Sequence, residues 1–244
     1  TGTDVAKEAA EMILADDNFA TIVQAVQEGR IIFENIKKAI YFLLSTNMGE
    51  LFTILGAILL SWPLPLFPIQ VLWINLVTDS LPALAIGVDP PERGTMQRPP
   101  RNPREGIFEP GTRAQIIVFG LFIALITLGA FWLGWQESTV KGQTLAFATL
   151  AFSQLVHVFN FRSLRESIFR RGIAGNRPLL AGVFISAALQ IIVLVVPLFM
   201  PVFRVVSLSG GDWLTIIVLC LSPVAFGELW KLAVNSKTVN RQAG

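Results

Sequence analysis

Two long stretches of this sequence carry no charged residue and consist almost entirely of apolar side chains. They cover residues 116–135 and 179–200. Because about 20 apolar residues in a helix cross the hydrocarbon core of a bilayer, each stretch predicts a transmembrane helix. The whole chain is 53% hydrophobic and only 15% charged, which lies outside the usual range of soluble domains. The sequence therefore indicates an integral membrane protein.

Apolar stretches of this kind occur six times, separated by segments rich in Gly, Pro and Arg. We name them spans A to F and place them at residues 37–60, 68–88, 114–135, 143–161, 178–200 and 213–232. A hydrophilic loop, 89–112, lies between spans B and C. The predicted fold class is an all-α polytopic membrane protein with six transmembrane helices.

Basic residues are concentrated in alternate loops. The loops after spans B and D contain Arg93, Arg98, Arg101, Arg104, Arg162, Arg165, Arg170, Arg171 and Arg177. Since cytoplasmic loops carry an excess of Lys and Arg, this pattern predicts that both termini are cytoplasmic. We interpret the arginines between 162 and 171 as a topology signal in contact with lipid headgroups. The net charge of only +2 argues against a nucleic-acid partner.

The first 30 residues are polar and follow a different pattern. Asp17 is a suitable N-cap for a helix whose apolar positions form one stripe: Phe19, Ile22, Val23 and Val26. Thirty residues are too few to cover that stripe with a core of their own. We therefore predict that 1–30 is the C-terminal remnant of a cytosolic α/β domain. The stalk, spans A and B and the hydrophilic loop then form 31–112, and spans C to F with a short cytosolic tail form 113–244.

Two carboxylates lie clearly at membrane depth, Glu50 in span A and Asp79 in span B. A carboxylate in hydrocarbon is costly, so it is expected to face a partner or an ion. Asn47 lies three residues before Glu50, and Asn75 and Thr78 precede Asp79 on one helical face. These side chains form an all-oxygen set that suits a hard cation such as Ca²⁺, whereas Zn²⁺ and Cu⁺ prefer Cys and His. The alternative is a structural pairing of the carboxylates with neighbouring helices.

Pro82 strengthens the ion interpretation. It has no N–H to donate to the carbonyl of Thr78, so the backbone beside Asp79 is predicted to leave the regular helical pattern. Interrupted helices are typical of ion sites within membranes.

Three further polar residues lie in span D. Gln154 is either a third-helix ligand or the donor of a helix–helix hydrogen bond. His157 is expected to pack within the protein, and Asn160 lies nearer the membrane boundary. Glycines at 56, 120 and 129 are predicted to allow close packing of helices.

Several motifs resemble one family in the right order along the chain. Residues 1–19 resemble the end of the phosphorylation domain of P2-type ATPases. Residues 45–50 (Ser-Thr-Asn-Met-Gly-Glu) resemble the fifth transmembrane helix of calcium pumps of the sarco/endoplasmic-reticulum type, and residues 72–83 resemble the sixth. Residues 87–91 resemble the cytosolic loop that follows, which contacts the phosphorylation domain in that family.

This resemblance implies that spans A to F are helices five to ten of a ten-helix pump. It implies Ca²⁺ as the transported ion, bound at the positions of Asn47, Glu50, Asn75, Thr78 and Asp79. The family couples ion movement to formation of an aspartyl phosphate, but the phosphorylated Asp motif, the nucleotide and actuator domains and the first four helices are not in this chain. We therefore expect no catalytic residue here, with Mg²⁺ and ATP bound only by the complete pump. The expected partners are the missing N-terminal part and the lipid bilayer.

Gln154 aligns with a glutamate of two-site calcium pumps, whereas the one-ion plasma-membrane type has glutamine, so the resemblance implies one Ca²⁺ per cycle. The short loop between spans C and D resembles bacterial members and suggests a prokaryotic plasma membrane. Two alternatives stay open: a pump for Mn²⁺, Na⁺ or H⁺, and a stand-alone cation pathway or regulator without enzyme activity.

Overall fold

A computed structural model describes residues 2–16, 18–92, 94–97, 99–100, 106–108, 111–163 and 167–242, with side chains of the last helix as far as residue 233. Within these residues there is no strand, and six segments are long and apolar enough to cross a membrane. The protein is therefore an all-α, multi-pass membrane protein, as the sequence predicts.

The helices follow the predicted spans closely. In chain order they are α1 (Asp4–Ala9), α2 (Phe19–Leu59), α3 (Pro68–Trp73), α4 (Ser80–Ile86), α5 (Thr112–Trp135), α6 (Thr139–His157), α7 (Ile168–Arg171), α8 (Arg177–Val195), α9 (Met200–Phe203) and α10 (Gly210–Gln242). A π-helical segment joins α3 to α4 at Ile74–Thr78, and 3₁₀ turns occur at Thr95–Gln97, Val158–Arg162 and Ile173–Gly175.

The helix α2 is a single uninterrupted helix of 41 residues that contains both the predicted stalk and span A. At 1.5 Å per residue it is about 60 Å long, roughly twice the thickness of a bilayer core, so its first part extends beyond the membrane. The helix begins after Asn18, whose side chain accepts a hydrogen bond from the N–H of Ala20 at 3.0 Å. The predicted N-cap, Asp17, lies outside the described residues.

The N-terminal segment makes few contacts. No residue of α1 is buried, and the apolar stripe at the start of α2 is open, with Phe19, Val23 and Val26 all exposed. The described residues of 1–30 are helix and irregular chain, without the strand that an α/β domain contributes. Their assignment to the end of a phosphorylation domain stays a prediction.

Span E ends earlier than predicted. The helix α8 stops at Val195, and Val196 is extended, with φ −80° and ψ 120°. Its neighbour Pro197 is the cause, because a residue before proline disfavours the helical region. The chain then continues in the short helix α9.

Small residues set the closest helix contacts. The helix α6 is the most buried of the six spans, and it crosses α5 where a Cβ on Gly134 would lie 2.8 Å from the Cα of Gly142. A Cβ on Gly120 would lie 2.6 Å from the Cβ of Met48, so α5 also packs tightly on α2. Gly56 has a similar close contact with the end of the Leu128 side chain. The prediction for Gly129 is wrong, because no atom of a non-neighbouring described residue lies within 4 Å of a Cβ placed there.

Two clusters of buried apolar side chains fill the protein at different depths. One includes Ile74, Phe131, Phe147 and Phe203. The other includes Tyr41, Phe42, Ile86, Phe161 and Leu179. Glu50 and Asp79 are themselves buried, so protein atoms shield their carboxylates from water.

Candidate cation site

Span B is interrupted where the sequence predicts. The N–H of Asp79 donates to the carbonyl of Ile74, five residues back, at 2.9 Å. This longer repeat makes the π segment that precedes Asp79. Because Pro82 has no N–H, the carbonyl of Thr78 lacks its α-helical partner, and the regular pattern resumes with the bond from Ala83 to the Asp79 carbonyl at 3.0 Å.

Two serines stabilise the interrupted backbone. The hydroxyl of Ser80 donates to the carbonyl of Asn75 at 3.0 Å, and the hydroxyl of Ser186, in α8, donates to the carbonyl of Val77 at 3.2 Å. Carbonyls freed by a helix break must find donors inside a membrane, and side-chain hydroxyls supply them here. Ser186 is not among the site residues predicted from the sequence, although a polar residue within a span is the signal for such a contact.

Asp79 is fully buried, and neither of its carboxylate oxygens has a hydrogen-bond partner in the described part of the chain. It lies close enough to Glu50 for the two carboxylates to interact electrostatically, and the hydroxyl of Thr46, which donates to the carbonyl of Leu43 at 3.1 Å, is also near it. An ionised carboxylate at this depth costs about 2.5–3.5 kcal/mol or more, so two of them without a cation form an unstable arrangement. Two buried carboxylates of this kind are stable only with a cation between them or in protonated form.

Glu50 is held by two amide groups. Its Oε2 accepts from Nδ2 of Asn75 at 2.8 Å, and its Oε1 accepts from Nε2 of Gln154 at 3.4 Å. These bonds join spans A, B and D at one point. Thr78 is fully buried beside Asp79, and its hydroxyl donates to the carbonyl of Ile74 at 2.8 Å, which leaves the oxygen lone pairs available to a cation.

Gln154 has one of the two roles that the sequence left open. Its Nε2 also approaches the carbonyl of Thr46 at 3.4 Å, so it makes helix–helix hydrogen bonds. Its Oε1 is buried and has no partner among the described residues. The side chain therefore positions Glu50, and its role as a cation ligand stays a prediction.

The structure does not place Asn47 in this cluster. Its side chain is exposed on the outer face of α2, although Glu50, three residues later, is buried. Residues at i and i+3 share a face only approximately, and here the edge of that face passes between them.

His157 has a packing role, as predicted. Its Nε2 lies 3.1 Å from the hydroxyl of Ser45, and its Nδ1 lies 2.9 Å from Nδ2 of Asn160. The imidazole is fully buried against the ring of Phe119, with the ring centres 4.7 Å apart. Asn160 also bonds the carbonyl of Pro223 at 2.8 Å, so this network joins spans A, D and F away from the carboxylates.

The donor set suits a hard cation. Among the described residues there is no group of three or more His, Cys, Asp or Glu side chains that could hold a metal. The site consists of two carboxylates together with amide and hydroxyl oxygens, a set preferred by Ca²⁺ and similar cations.

The interpretation of the D–E arginines as lipid contacts is wrong for two of them. Arg162 is buried, and its Nε donates to Oδ1 of Asp89 at 3.0 Å. Arg171 donates from Nη2 to Oδ2 of the same carboxylate at 2.8 Å. Arg170 is exposed, and Arg165 lies outside the described residues. Asp89 is not among the residues predicted from the sequence, although a carboxylate at the end of a span in a chain with an arginine-rich loop is a signal for such a pairing.

Comparison with known proteins identifies the family. The chain is 46% identical to the Calcium-transporting ATPase of Bacillus subtilis over 91% of its own length and 25% of the relative. It is 43% identical to Calcium-transporting ATPase 1 of Bacillus cereus over 96% of its own length and 28% of that protein. It is 36% identical to the human Calcium-transporting ATPase type 2C member 1 over 97% of its own length and 26% of that protein. The chain thus spans about a quarter of the length of these relatives.

The family match covers most of the membrane region. Residues 63–233 match the family described as "Cation transporting ATPase, C-terminus". Spans B to F lie within this match, and the sequence similarity to the relatives extends it to span A. The chain belongs to the cation-transporting ATPase family and matches the C-terminal part of its members.

Proposed function

We propose that this chain is the ion-binding membrane part of an ATP-driven pump that exports Ca²⁺ from the cytoplasm. The observation that carries the proposal is the buried Asp79 carboxylate, which lies unpaired at a helix break beside Glu50. The relatives named above, which are called calcium-transporting ATPases, support Ca²⁺ as the ion.

The arrangement of the side chains suggests how an ion is bound. A divalent cation between Glu50 and Asp79 neutralises both carboxylates, so it removes the electrostatic cost of burying them. Ca²⁺ takes about 6–8 oxygen ligands. The amides of Asn75 and Gln154 now direct N–H groups at Glu50, so each must turn to present its oxygen to the ion. Thr78 supplies a hydroxyl oxygen without changing its bond to Ile74.

The site offers one position for a divalent ion, between its two carboxylates. With glutamine at 154 there is no third carboxylate from span D, so we propose a single Ca²⁺ per transport cycle. ATP and Mg²⁺ act in the cytosolic part of the complete pump, which supplies the aspartyl phosphate. Both termini of this chain face the cytoplasm, and the membrane is a bacterial plasma membrane.

The remainder of the pump is the main protein partner. Exposed apolar residues on the outer faces of α2 and α4 include Leu51, Leu55 and Leu84, and Asn47 is exposed on α2 as well. We propose that further membrane helices cover this side and bring Asn47 into the coordination sphere. The opposite sides of the bundle contact lipid.

The test is ATP-dependent uptake of ⁴⁵Ca²⁺ by inside-out vesicles that contain the complete pump. We expect saturable uptake that Asp79→Asn abolishes. A matched control is Glu137→Gln, which removes an exposed carboxylate from the loop between spans C and D. If the vesicles take up Mn²⁺, Na⁺ or H⁺ but no Ca²⁺, the transported ion is a different one. Cation movement without any need for ATP would overturn the pump and favour a passive pathway.

A further inference from the structure

A second buried charge cluster lies at the end of span B, away from the cation site. Its centre is Asp89, whose carboxylate is completely inaccessible. Oδ1 accepts from Nε of Arg162 at 3.0 Å and from Nδ2 of Asn176 at 2.8 Å. Oδ2 accepts from Nη2 of Arg171 at 2.8 Å and lies 3.8 Å from Nζ of Lys38. One carboxylate thus connects spans A, B and E with the loop between spans D and E.

The cluster depends on Asp89 for its charge balance. Glu92 is a second carboxylate of the cluster, 3.1 Å from Lys38 and 3.5 Å from Arg171. Among the described residues these two carboxylates pair with Lys38, Arg162 and Arg171, and Lys231 interacts electrostatically with Glu92 as well. Neutralising Asp89 would leave Lys38, Arg162 and Arg171, which are at most 10% exposed, with less negative charge to compensate them. Loss of one member of a buried ionic group is strongly destabilising, because its partners remain buried without compensation.

The same region fixes the last turn of α4. The carbonyls at a helix C-terminus have no partner within the helix and need other donors. Nδ2 of Asn35, in α2, bonds the carbonyls of Gly87 at 3.3 Å and Asp89 at 2.7 Å. Nδ2 of Asn176, the N-cap of α8, bonds the carbonyl of Ala85 at 3.0 Å. The end of α4 is therefore locked in both rotation and translation by two other helices.

This lock acts on the helices that carry the cation ligands. Asn35 and Lys38 precede Glu50 by about three to four turns of the continuous helix α2. Asp89 follows Asp79 through α4 alone, because the π segment separates α4 from α3. A shift of α4 along α2 therefore changes the separation of Glu50 and Asp79, while α3 can stay in place.

We propose that Asp89 is a positioning residue for cation binding: it holds α4 in register with α2, so that Asp79 faces Glu50. This inference rests on the proposed function, because it takes Glu50 and Asp79 as the cation ligands. Asp89 does not touch the ion. It acts through the backbone of α4.

The experiment compares Asp89→Asn with Asp89→Glu and with Glu137→Gln in the complete pump in detergent. The Ca²⁺ concentration at half-saturation is measured by equilibrium ⁴⁵Ca²⁺ binding, normalised to folded protein. We expect Asp89→Asn to raise it at least about fivefold, the lower end of coupling between distant sites. Asp89→Glu keeps the charge and should recover most of the affinity, and Glu137→Gln should match the unaltered protein. Unchanged half-saturation in Asp89→Asn would overturn the proposal.

A second measurement does not depend on the ion. Hydrogen exchange of the backbone amides between 74 and 86 should be faster in Asp89→Asn than in the unaltered protein, with no change around α5 and α6. Equal exchange in both proteins would overturn the positioning role. If the unaltered pump binds no Ca²⁺, the proposed ion is wrong, and this exchange result still decides the role of Asp89. If Asp89→Asn does not fold, Asn176→Ala replaces it, because that change removes the bonds to Asp89 and Ala85, together with the N-cap bond from Leu179, and leaves the Asp89 carboxylate its two arginine partners. The Ca²⁺ concentration at half-saturation and the hydrogen exchange are then measured for Asn176→Ala, and both are expected to change less than in Asp89→Asn.

Discussion

Gly120 provides the sharpest test of the packing between spans A and C. A Cβ at this position would lie 2.6 Å from the Cβ of Met48, and 3.2 Å from both the carbonyl carbon of Met48 and the backbone N of Gly49. These atoms belong to the backbone of α2 or are attached to it directly, so no side-chain rotation relieves the contact. Gly120→Ala must therefore push α2 and α5 apart.

The magnitude follows from a comparison within one helix. Overpacking of a well-packed interior costs about 1–3 kcal/mol. Replacing Gly by Ala in a helix gains about 0.8–1.0 kcal/mol from backbone propensity. Gly129 lies in the same helix with open space around its Cβ position, so Gly129→Ala has the gain without the clash. The propensity term cancels, and the two variants should differ by about 1–3 kcal/mol, with Gly120→Ala the less stable.

Thermal unfolding in detergent measures this difference. For a chain of 244 residues, each kcal/mol corresponds to roughly 2–4 °C in Tm. We expect Gly120→Ala to unfold below the unaltered chain or near it, and Gly129→Ala to unfold at or above it. Because Gly49 immediately precedes Glu50, Gly120→Ala should also weaken Ca²⁺ binding. Coincident midpoints for the two alanine variants would refute the close crossing of α2 and α5.

Three further predictions concern other contacts. Arg162→Met leaves the buried carboxylate of Asp89 with fewer partners and should lower the unfolding free energy by about 3–5 kcal/mol. Denaturant titration measures this loss. The control is Lys7→Gln, which breaks the exposed pair with Asp4 and should leave the unfolding free energy unchanged. Ser186→Ala removes the donor to the Val77 carbonyl and should lower the unfolding free energy by about 1 kcal/mol in the same titration. Ser222→Ala should lower it less, because the hydroxyl of Ser222 donates to the carbonyl of Leu219 within its own helix. The thiol of Cys220 is buried and donates to the carbonyl of Ile217, so a maleimide should modify it slowly in the folded chain and rapidly after denaturation; equal rates would contradict its placement.

Much of this architecture could be predicted because it depends on local patterns. The length and apolar character of each span fixed its presence, and the missing N–H of Pro82 indicated the break beside Asp79. Glu50 could be identified for a similar reason, since the cost of a carboxylate at membrane depth requires a partner wherever the helices lie. These inferences need only the chain near each residue.

The errors concern relations between distant parts of the chain. Asp89 and Arg162 are 73 positions apart, so their pairing depends on how spans B and D lie together, which no local pattern reveals. Arginine near a span end has the same sequence signature whether it contacts lipid or a buried carboxylate. Gly129 and Gly120 likewise share one helix and one residue type, but only the position of α2 determines which of them is in contact.

The two polar clusters of this chain differ in a way that fits their proposed roles. At Asp89 the carboxylate has a full set of donors, so that part of the protein is complete and rigid without any ligand. At Asp79 neither oxygen has a partner in the described residues, and the helix that carries it is interrupted. An ion binding between Glu50 and Asp79 would therefore supply stabilisation that the protein alone does not provide, and the nine residues between Asp79 and Asp89 connect the ion site to the end of the bundle that carries Asp89. The proposed pump needs both kinds of site. The charge balance of one changes when the ion binds, and the other keeps its structure. Movement of α4 at the ion site can alter the rest of the protein only if another part of the bundle stays in place.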